Sequence, residues 1–291
     1  MAKGYEKVKS VYWWGLFLLA IMLALVWIAV FSLRPDNKLH VEFFDVGQGD
    51  AAFITTPQKV QVLIDGGPGT AVLPKLGKAM PFFDRTIDLV ILSHPHADHL
   101  SGLIEVLKRY KVKRVLYNTT THNSEAYKAF QKILSEKNIS AIIAEAGQRI
   151  VLDEYTVLDT LFPPQAIQGQ LFDDLNESSV VNRLSFGQNH LLFTGDAPKT
   201  EEQAILTAGL PVAAEVLKIG HHGSRYSTGL EFLQQIRPTY AVIPVGKNSY
   251  GHPDPATLAT LESEKIDYLR TDEKGDIKFL CDGLTACVLS K

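Results

Sequence analysis

Three imidazoles and a carboxylate fall within six residues, His94-Pro95-His96-Ala97-Asp98-His99. That set can hold one divalent metal, or two. In extended backbone, residues i and i+2 face the same way, so His94 and His96 can grip one ion. Asp98 and His99 fall where the chain turns into a helix and can face a second. Imidazole with carboxylate suits zinc, and also manganese or iron. Further clusters follow other apolar runs: Asp65 before Gly66-Gly67, Asp196 in Thr194-Gly195-Asp196, and His221-His222 before Gly223-Ser224. A metal site needs ligands distant in sequence and close in space, and strand ends on one edge of a sheet supply that. The Asp196 carboxylate has two oxygens and can bridge two cations. Two adjacent histidines on a strand cannot both face one ion. One of His221 and His222 is therefore expected to ligate, and the other to meet substrate or support the loop. Asp65 is placed to accept a hydrogen bond from a metal-bound histidine.

Two ions roughly 3.5–4 Å apart hold and ionise a water between them, lowering its pKa toward 7. That hydroxide is then the nucleophile. No Ser or Cys nucleophile is needed, and the chain has no Gly-x-Ser-x-Gly. The loop 246–255 carries Lys247 and His252, either of which can place positive charge or a donor at a phosphate oxygen. Ser224 and Arg225 are similar candidates. Tyr226 and Tyr250 can stack on a base.

These residues need a scaffold of strand ends. The run 87–93 (IDLVILS) reads as a buried strand leading into His94, and a helical pattern, 100–110, follows the motif. Strands are expected at LHVEFFDV, DAAFITT and VQVLIDGG, separated by the turns at 47–50 and 57–59. Further strands are read at 114–117, 139–144, 155–162, 179–186, 190–193, 215–219 and 240–245, and near 266–270, 276–281 and 286–289. Helices are read at 71–79, 124–137, 199–208, 229–236 and 256–264. Residues 163–176 form a loop long enough to line a site. Each half runs from strands into strand–helix units. That order predicts two sheets packed face to face with helices outside, in one domain.

One segment stands apart. Residues 11–33, VYWWGLFLLAIMLALVWIAVFSL, carry no charge, and this length of helix crosses a bilayer. Tyr12, Trp13, Trp14 and Trp27 sit near its ends, as interfacial anchors do. A secretory signal has a shorter apolar core and a small-residue cleavage site. Arg34-Pro35-Asp36-Asn37 offers no such site, so a retained anchor is expected. Lys3, Lys7 and Lys9 precede the segment with Glu6, and Arg34 and Lys38 follow it with Asp36. The positive-inside rule then puts the N-terminus in the cytoplasm and the globular part outside. The whole chain carries net charge −3, and the part after residue 33 is more acidic still. It lacks the basic excess of a domain that grips nucleic acid tightly by its phosphates, which leaves transient cleavage open. The two cysteines, Cys281 and Cys287, are too few for a disulfide framework. A tight Asp282-Gly283 turn would keep them from facing each other and a five-residue loop would pair them. The expectation is two buried thiols.

The motif His94 to His99, followed by Leu100-Ser101-Gly102-Leu103, resembles the His-x-His-x-Asp-His signature of the metallo-β-lactamase superfamily. More narrowly, several stretches are similar to the soluble hydrolase domain of ComEC competence proteins. These are FFDVGQGDAAFI (43–54), VLIDGG (62–67), LSHPHADHLSGL (92–103), NESSVV (176–181), LLFTGDA (191–197), VLKIGHHGSRYST (216–228) and VGKNSYGHPDPATL (245–258). The resemblance covers about residues 39–280 and implies an αββα four-layer sandwich; the domain is taken as 39–291, after a stub and transmembrane helix (1–33) and a linker (34–38) read from composition. It implies two divalent ions, Zn or Mn, with His94, His96 and Asp196 on one and Asp98, His99, Asp196 and His222 on the other. Asp98, His252 and Lys247 would take catalytic roles. Asp65, Asn176, Ser179, His221 and Ser224 would support the site or meet substrate.

The chain departs from the β-lactamase and glyoxalase pattern, which has a further histidine ligand before the bridging Asp. Here Asn176 and Ser179 stand in that region, as in the ComEC-like group. His122 and His190, in a loop and a hairpin turn, are not expected to ligate. That turns the expected substrate from β-lactams toward a phosphodiester, DNA among the candidates. Full ComEC proteins add a multi-helix channel, and one membrane segment cannot form one. The expected function is a membrane-anchored di-metal phosphodiesterase or nuclease. The alternatives are a non-catalytic DNA- or partner-binding module, or a thioester, lactone or envelope phosphoester hydrolase.

Overall fold

The computed structural model describes residues 2–32, 34–164 and 169–290. Residue 33, where the expected membrane segment ends, and 165–168 of the expected loop lie outside the described residues. The chain divides into two compact units, Met1–Asp36 and Asn37–Lys291. The first is one helix, α1 (Ala2–Ser32). Within it Tyr12–Val30 is long and apolar enough to cross a membrane.

The second unit begins with β1 (Leu39–Phe43), β2 (Ala52–Thr55), β3 (Gln61–Ile64), α2 (Val72–Ala79), β4 (Thr86–Leu92), α3 (Ala97–Arg109), β5 (Lys111–Tyr117), α4 (Glu125–Glu136) and β6 (Ser140–Ile143). It continues with β7 (Arg149–Val151), β8 (Thr156–Phe162), β9 (Val181–Phe186), β10 (Asn189–Phe193), α5 (Lys199–Thr207) and β11 (Val216–Lys218). Then come α6 (Leu230–Ile236), β12 (Tyr240–Ile243), α7 (Pro255–Ser263), β13 (Asp267–Arg270), α8 (Thr271–Lys274), β14 (Ile277–Cys281) and β15 (Val288–Ser290). One sheet has the order β15-β14-β1-β2-β3-β4-β5-β6 and the other β13-β12-β11-β10-β9-β8-β7. Strand β4 is buried without break from Leu89 to Leu92, the pattern of a parallel strand covered on both faces.

Three apolar clusters fill the layers. One, with Val41, Phe43, Ile54, Leu89, Leu184 and Phe279, lies between the sheets. A second packs Leu76, Leu100, Leu103, Val106, Phe130 and Leu134 from α2–α4 against the first sheet. The third packs Ile205, Phe232, Leu233, Ile236 and Leu261 from α5–α7 against the second sheet. This is the expected αββα sandwich. All three clusters lie within 39–290, so this unit carries its own core and is expected to fold alone.

Several boundaries differ from the sequence reading. Helix α3 starts at Ala97, inside the His/Asp motif, so Asp98 sits in its first turn, where the helix dipole favours a carboxylate. A Cβ on Gly102 would lie 1.8 Å from the Gly66 carbonyl oxygen; glycine there lets α3 press onto the turn after β3. Strand β5 begins at Lys111 rather than Arg114, and β7 and α8 have no counterpart in the sequence reading. The C-terminal hairpin crosses back to the first sheet, where β14 pairs with β1 at Leu39↔Cys281. The expectation of free thiols is overturned: Cys281 and Cys287 form a disulfide. Pairing of Leu280 with Val288 puts the two cysteines opposite each other, across the five-residue loop 282–286.

Candidate metal centre

The strand ends converge on one edge of the sandwich, and Asp196 stands at the convergence. It is buried after β10, and its backbone N–H donates to Ser179 Oγ at 3.0 Å. Its two oxygens do different work. Oδ1 accepts from the His221 backbone N–H at 3.1 Å and from Lys218 Nζ at 3.2 Å. Oδ2 faces three histidine nitrogens: His99 Nε2 at 3.2 Å, His222 Nε2 at 3.5 Å and His94 Nε2 at 3.9 Å.

His94 closes β4, and its Nε2 lies 2.9 Å from His96 Nδ1. The expected i, i+2 pairing of these rings is therefore present. Burial, then the charge of His99, holds His94 well below the usual histidine pKa, so it is neutral with a lone pair to give. His99 Nδ1 lies 2.9 Å from Asp65 Oδ2, which turns Nε2 toward Asp196. Asp65 is fixed in turn by Ser93, which donates from its backbone N–H at 2.8 Å and its hydroxyl at 2.6 Å. Ser93 Oγ also lies 3.0 Å from His94 Nδ1. Asp65 thus stands where the sequence placed it, behind a histidine.

His221 and His222 both lie in left-handed backbone, at φ 48° and 53°, a conformation costly for non-glycine residues and concentrated at functional sites. The bend sends the two rings different ways. His222 Nδ1 lies 2.9 Å from the Pro244 carbonyl oxygen, leaving Nε2 at 3.2 Å from Asp98 Oδ2. Burial alone would lower the His222 pKa, but Asp196, Asp50 and Asp98 overcome it and push it up to about 10. The same contest ends with His99 well above its ordinary value, through Asp196, Asp50 and Asp65. It ends with Asp196 well below the usual carboxylate range, through His99, His222 and Lys218. Asp98, despite partial burial, is also lowered by His222 and His99.

Two central residues escaped the sequence reading. Asp50 closes the Gly47-Gln48-Gly49 turn, and Lys218 ends β11; both are buried. Lys218 Nζ pairs with Asp50 Oδ2 and donates to the Gly195 carbonyl at 2.5 Å. Asp50 lies 3.3 Å from His222 Nδ1 and 3.9 Å from His99 Nδ1. These are the nitrogens turned away from Asp196 Oδ2, so Asp50 lies on the far side of both rings. Gly49 is required beside it, because a Cβ there would lie 2.3 Å from the Asp98 carbonyl oxygen. The DVGQGD stretch carried the signal for Asp50, since a carboxylate closing a glycine turn after a strand matches Asp65 and Asp196. A lysine within VLKIG carried none.

The donor set fits a divalent ion. Asp50, His99, Asp196 and His222 each offer an atom within 4.8 Å of the others, and all four residues are buried. Buried His99 Nε2 and Asp50 Oδ1 lack a hydrogen-bond partner among the described residues. Buried polar atoms are rarely left so, and a cation would satisfy them.

A cleft opens over this centre, lined by Gln48, His96, Ala97, Asp98, Asp196, His221, His222, Tyr250 and His252. His252 stacks edge-on against His221 at 5.3 Å. Burial, then the charges of His221 and His222, lowers its pKa, so it enters the cleft neutral. Asn176 is buried, its Oδ1 without a hydrogen-bond partner among the described residues, and Ser179 touches Asp196. Ser224 is buried beneath the histidine turn, donating its backbone N–H to the His221 carbonyl at 2.9 Å. Lys247 is exposed and outside the cleft lining. Tyr226 and Tyr250 are exposed, and Arg225 pairs with Asp254 at 2.9 Å. His190 lies 3.1 Å from Ser185 Oγ, within the sheet. His122 packs near Tyr127, with ring centroids 6.2 Å apart.

Comparison with known proteins agrees with this geometry. Residues 44–247 match the model of the metallo-beta-lactamase superfamily. ComE operon protein 3 of Bacillus subtilis is 31% identical over 264 residues, covering 84% of this chain and 33% of that protein. Competence protein ComA of Neisseria gonorrhoeae is 28% identical over 256 residues, again 84% of this chain and 33% of the other. Endoribonuclease ysh1 of Aspergillus fumigatus is 28% identical over 207 residues, covering 62% and 23%. The chain thus spans about a third or less of the length of these relatives. The solved metallo-beta-lactamase fold protein YhfI from Bacillus subtilis superposes with TM-score 0.54 at 12% identity, over 83% of this chain and 99% of that one. The fold, the ComEC-like stretches and the strand-end histidines agree: the chain belongs to the metallo-β-lactamase superfamily of metal-dependent hydrolases.

Proposed function

We propose that this chain is a two-metal phosphodiesterase of ComEC-like type, acting on DNA or another phosphodiester from an extracytoplasmic position. The observation that carries the reading is the division of labour on Asp196. Lys218 and the His221 backbone hold Oδ1, so Oδ2 alone faces His94, His99 and His222. Facing nitrogens from both groups of ligands, Asp196 would belong to both ligand sets. His94 and His96 would hold the first with Asp196; Asp98, His99 and His222 would hold the second. When bound, the ions, zinc or manganese, supply water acidified toward neutral pH and a Lewis acid for a phosphoryl oxygen.

The chain's own groups do the rest. Asp65 and the Pro244 carbonyl keep the Nε2 atoms of His99 and His222 turned to the centre. Asp98, partly exposed at the cleft floor, can accept the proton of an attacking water. Neutral His252 can donate to a phosphoryl oxygen across the cleft; Lys247 lies on the same loop but exposed and outside the lining. Three things favour a phosphodiester over a β-lactam: Asn176 and Ser179 where β-lactamase-type members place another histidine, the open polar cleft, and the likeness to a protein named as an endoribonuclease. The helix α1 would hold this unit at the membrane. The larger Lys/Arg count before it would put the cleft on the outer side.

The test is hydrolysis by purified residues 37–291 with Mn²⁺ or Zn²⁺. The substrates are bis-p-nitrophenyl phosphate, single- and double-stranded DNA, a thioester, a lactone and a β-lactam. Turnover is expected on the phosphodiesters, and Asp196→Ala should lose at least about a hundredfold. Turnover confined to the thioester, lactone or β-lactam, or full activity in Asp196→Ala, would overturn the proposal.

A further inference from the structure

The end of the sandwich opposite the metal centre carries an unusual surface. Strands β1, β3, β4 and β5 run parallel, so Leu39, Gln61, Thr86 and Lys111 begin at one end. The turn before β4 holds Phe82 and Phe83, exposed at 71% and 39%, packed edge to face at 5.2 Å. Asp84 fixes that turn by donating its N–H to the Pro81 carbonyl at 2.9 Å and accepting from the Thr86 N–H at 2.9 Å. Next to it Arg85 lies over the Tyr110 ring at 5.3 Å, and its carbonyl accepts from the Lys111 N–H at 2.8 Å. The exposed aromatic pair is thereby joined to the run Lys108-Arg109-Tyr110-Lys111-Val112-Lys113-Arg114, five basic residues in seven with no acid. Lys137 comes into the same depression, its Nζ donating to the Leu107 carbonyl at 2.6 Å. Glu105 and Asp88 offset Lys108, Arg109 and Lys113 in part. The patch is still basic on a chain of net charge −3.

We propose that the face carrying Phe82, Phe83, Arg85, Lys108, Lys111 and Lys113 docks on an anionic lipid bilayer. Exposed aromatics beside clustered Lys and Arg match the two terms of interfacial binding, ring insertion at the headgroup level and attraction to acidic lipid. Continuity of the chain gives the same partner. The sandwich is joined to the apolar helix through Leu39, which starts at this end. Eight residues lie between Val30 and Leu39, a reach of at most about 30 Å. Strand β1 is three strand positions from β4, roughly 14 Å. This part of the argument rests on the reading of α1 as a membrane span. Nucleic acid is the other polyanion such a patch would hold. It is disfavoured because β4 separates the patch from His94 by about 23 Å of strand, so DNA bound here would lie away from the cleft.

The test uses residues 37–291, which lack α1, so its outcome does not depend on whether that helix spans a membrane. Carbonate extraction of the full chain reads the span separately. Sedimentation with phosphatidylglycerol–phosphatidylcholine vesicles should exceed that with phosphatidylcholine alone by roughly tenfold, and about 0.5 M salt should reverse it. Lys111→Glu/Lys113→Glu and Phe82→Ser/Phe83→Ser should each lower binding at least about fivefold with an unchanged unfolding midpoint. The salt arm needs no substitution and so reads the charge term whatever the variants do to folding. Equal binding to both vesicle types, unaltered binding by both variants, or retention of a DNA duplex without vesicle binding would overturn the proposal.

Discussion

Lys218→Met tests the electrostatic design of the centre without replacing a proposed ligand. Lys218 is buried against Asp50 and Asp196, the latter at 3.2 Å. At an effective dielectric of about 20, a unit pair at that distance is worth about 5 kcal/mol before desolvation. Removing one partner of such a buried pair costs about 3–5 kcal/mol net, because the remaining charge stays buried and uncompensated. Methionine keeps the volume and removes the charge. For a unit of this size each kcal/mol moves the midpoint by about 2–4 °C, so metal-free Lys218→Met should melt roughly 6–20 °C below the native chain. A divalent ion brings positive charge to the same carboxylates, so added Zn²⁺ or Mn²⁺ should raise the variant's midpoint more than the native chain's. Differential scanning calorimetry with and without chelator reads both effects. A metal-free midpoint within about 2 °C of native, or equal metal-induced gains in the two proteins, would refute the reasoning.

Three further outcomes follow from particular groups. Neighbouring carboxylates hold His99 and His222 protonated in the metal-free centre, the latter up to about 10. An ion must displace those protons, so affinity should rise with pH across 6–9 and calorimetry in buffers of different ionisation enthalpy should show proton release; buffer-independent heats would contradict this. Glu202 accepts from the Thr228 and Gly229 N–H groups at 2.6 and 2.8 Å, and burial raises its carboxyl to about 7. A carboxyl raised on folding contributes stability below its unfolded pKa that is lost as pH climbs through 7. The unfolding free energy of the native chain from urea titration should therefore fall relative to Glu202→Gln between pH 5 and 8, by up to ~3 kcal/mol, and parallel curves would sink the assignment. Reduction of Cys281–Cys287 opens a short loop and should cost about 2 kcal/mol by loop entropy; an unchanged midpoint in reductant would show that the pairing contributes nothing.

The parts of the site legible in the sequence were those whose chemistry and position coincide. Three histidines and an aspartate at the end of an apolar run admit few other readings, and Asp196 and His222 stand after runs of the same kind. Asp50 hid because an aspartate after Gly-Gln-Gly also reads as an ordinary turn. Lys218 hid because a lysine near a strand end reads as solvated. Only the spatial meeting of β1–β2, β10 and β11 turns that pair into a buried salt bridge. Which ring of the HHG pair turns to the centre depended on two left-handed residues that no periodicity reveals. In the fold, the local strand and helix patterns carried the sandwich. The return of β14 to pair with β1 did not show, since it joins Leu39 to Cys281 across nearly the whole chain. The disulfide depended on the same hairpin's loop length.

The central claim is that Asp196 Oδ2 joins two metal sites, and counting metal tests it most directly. Residues 37–291, loaded with Zn²⁺ or Mn²⁺ and freed of excess, should hold two ions per chain by mass spectrometry of the bound metal. Asp196→Ala should hold one or none, while Asp65→Asn should bind two more weakly. A single ion in the native chain, or two retained in Asp196→Ala, would contradict the account.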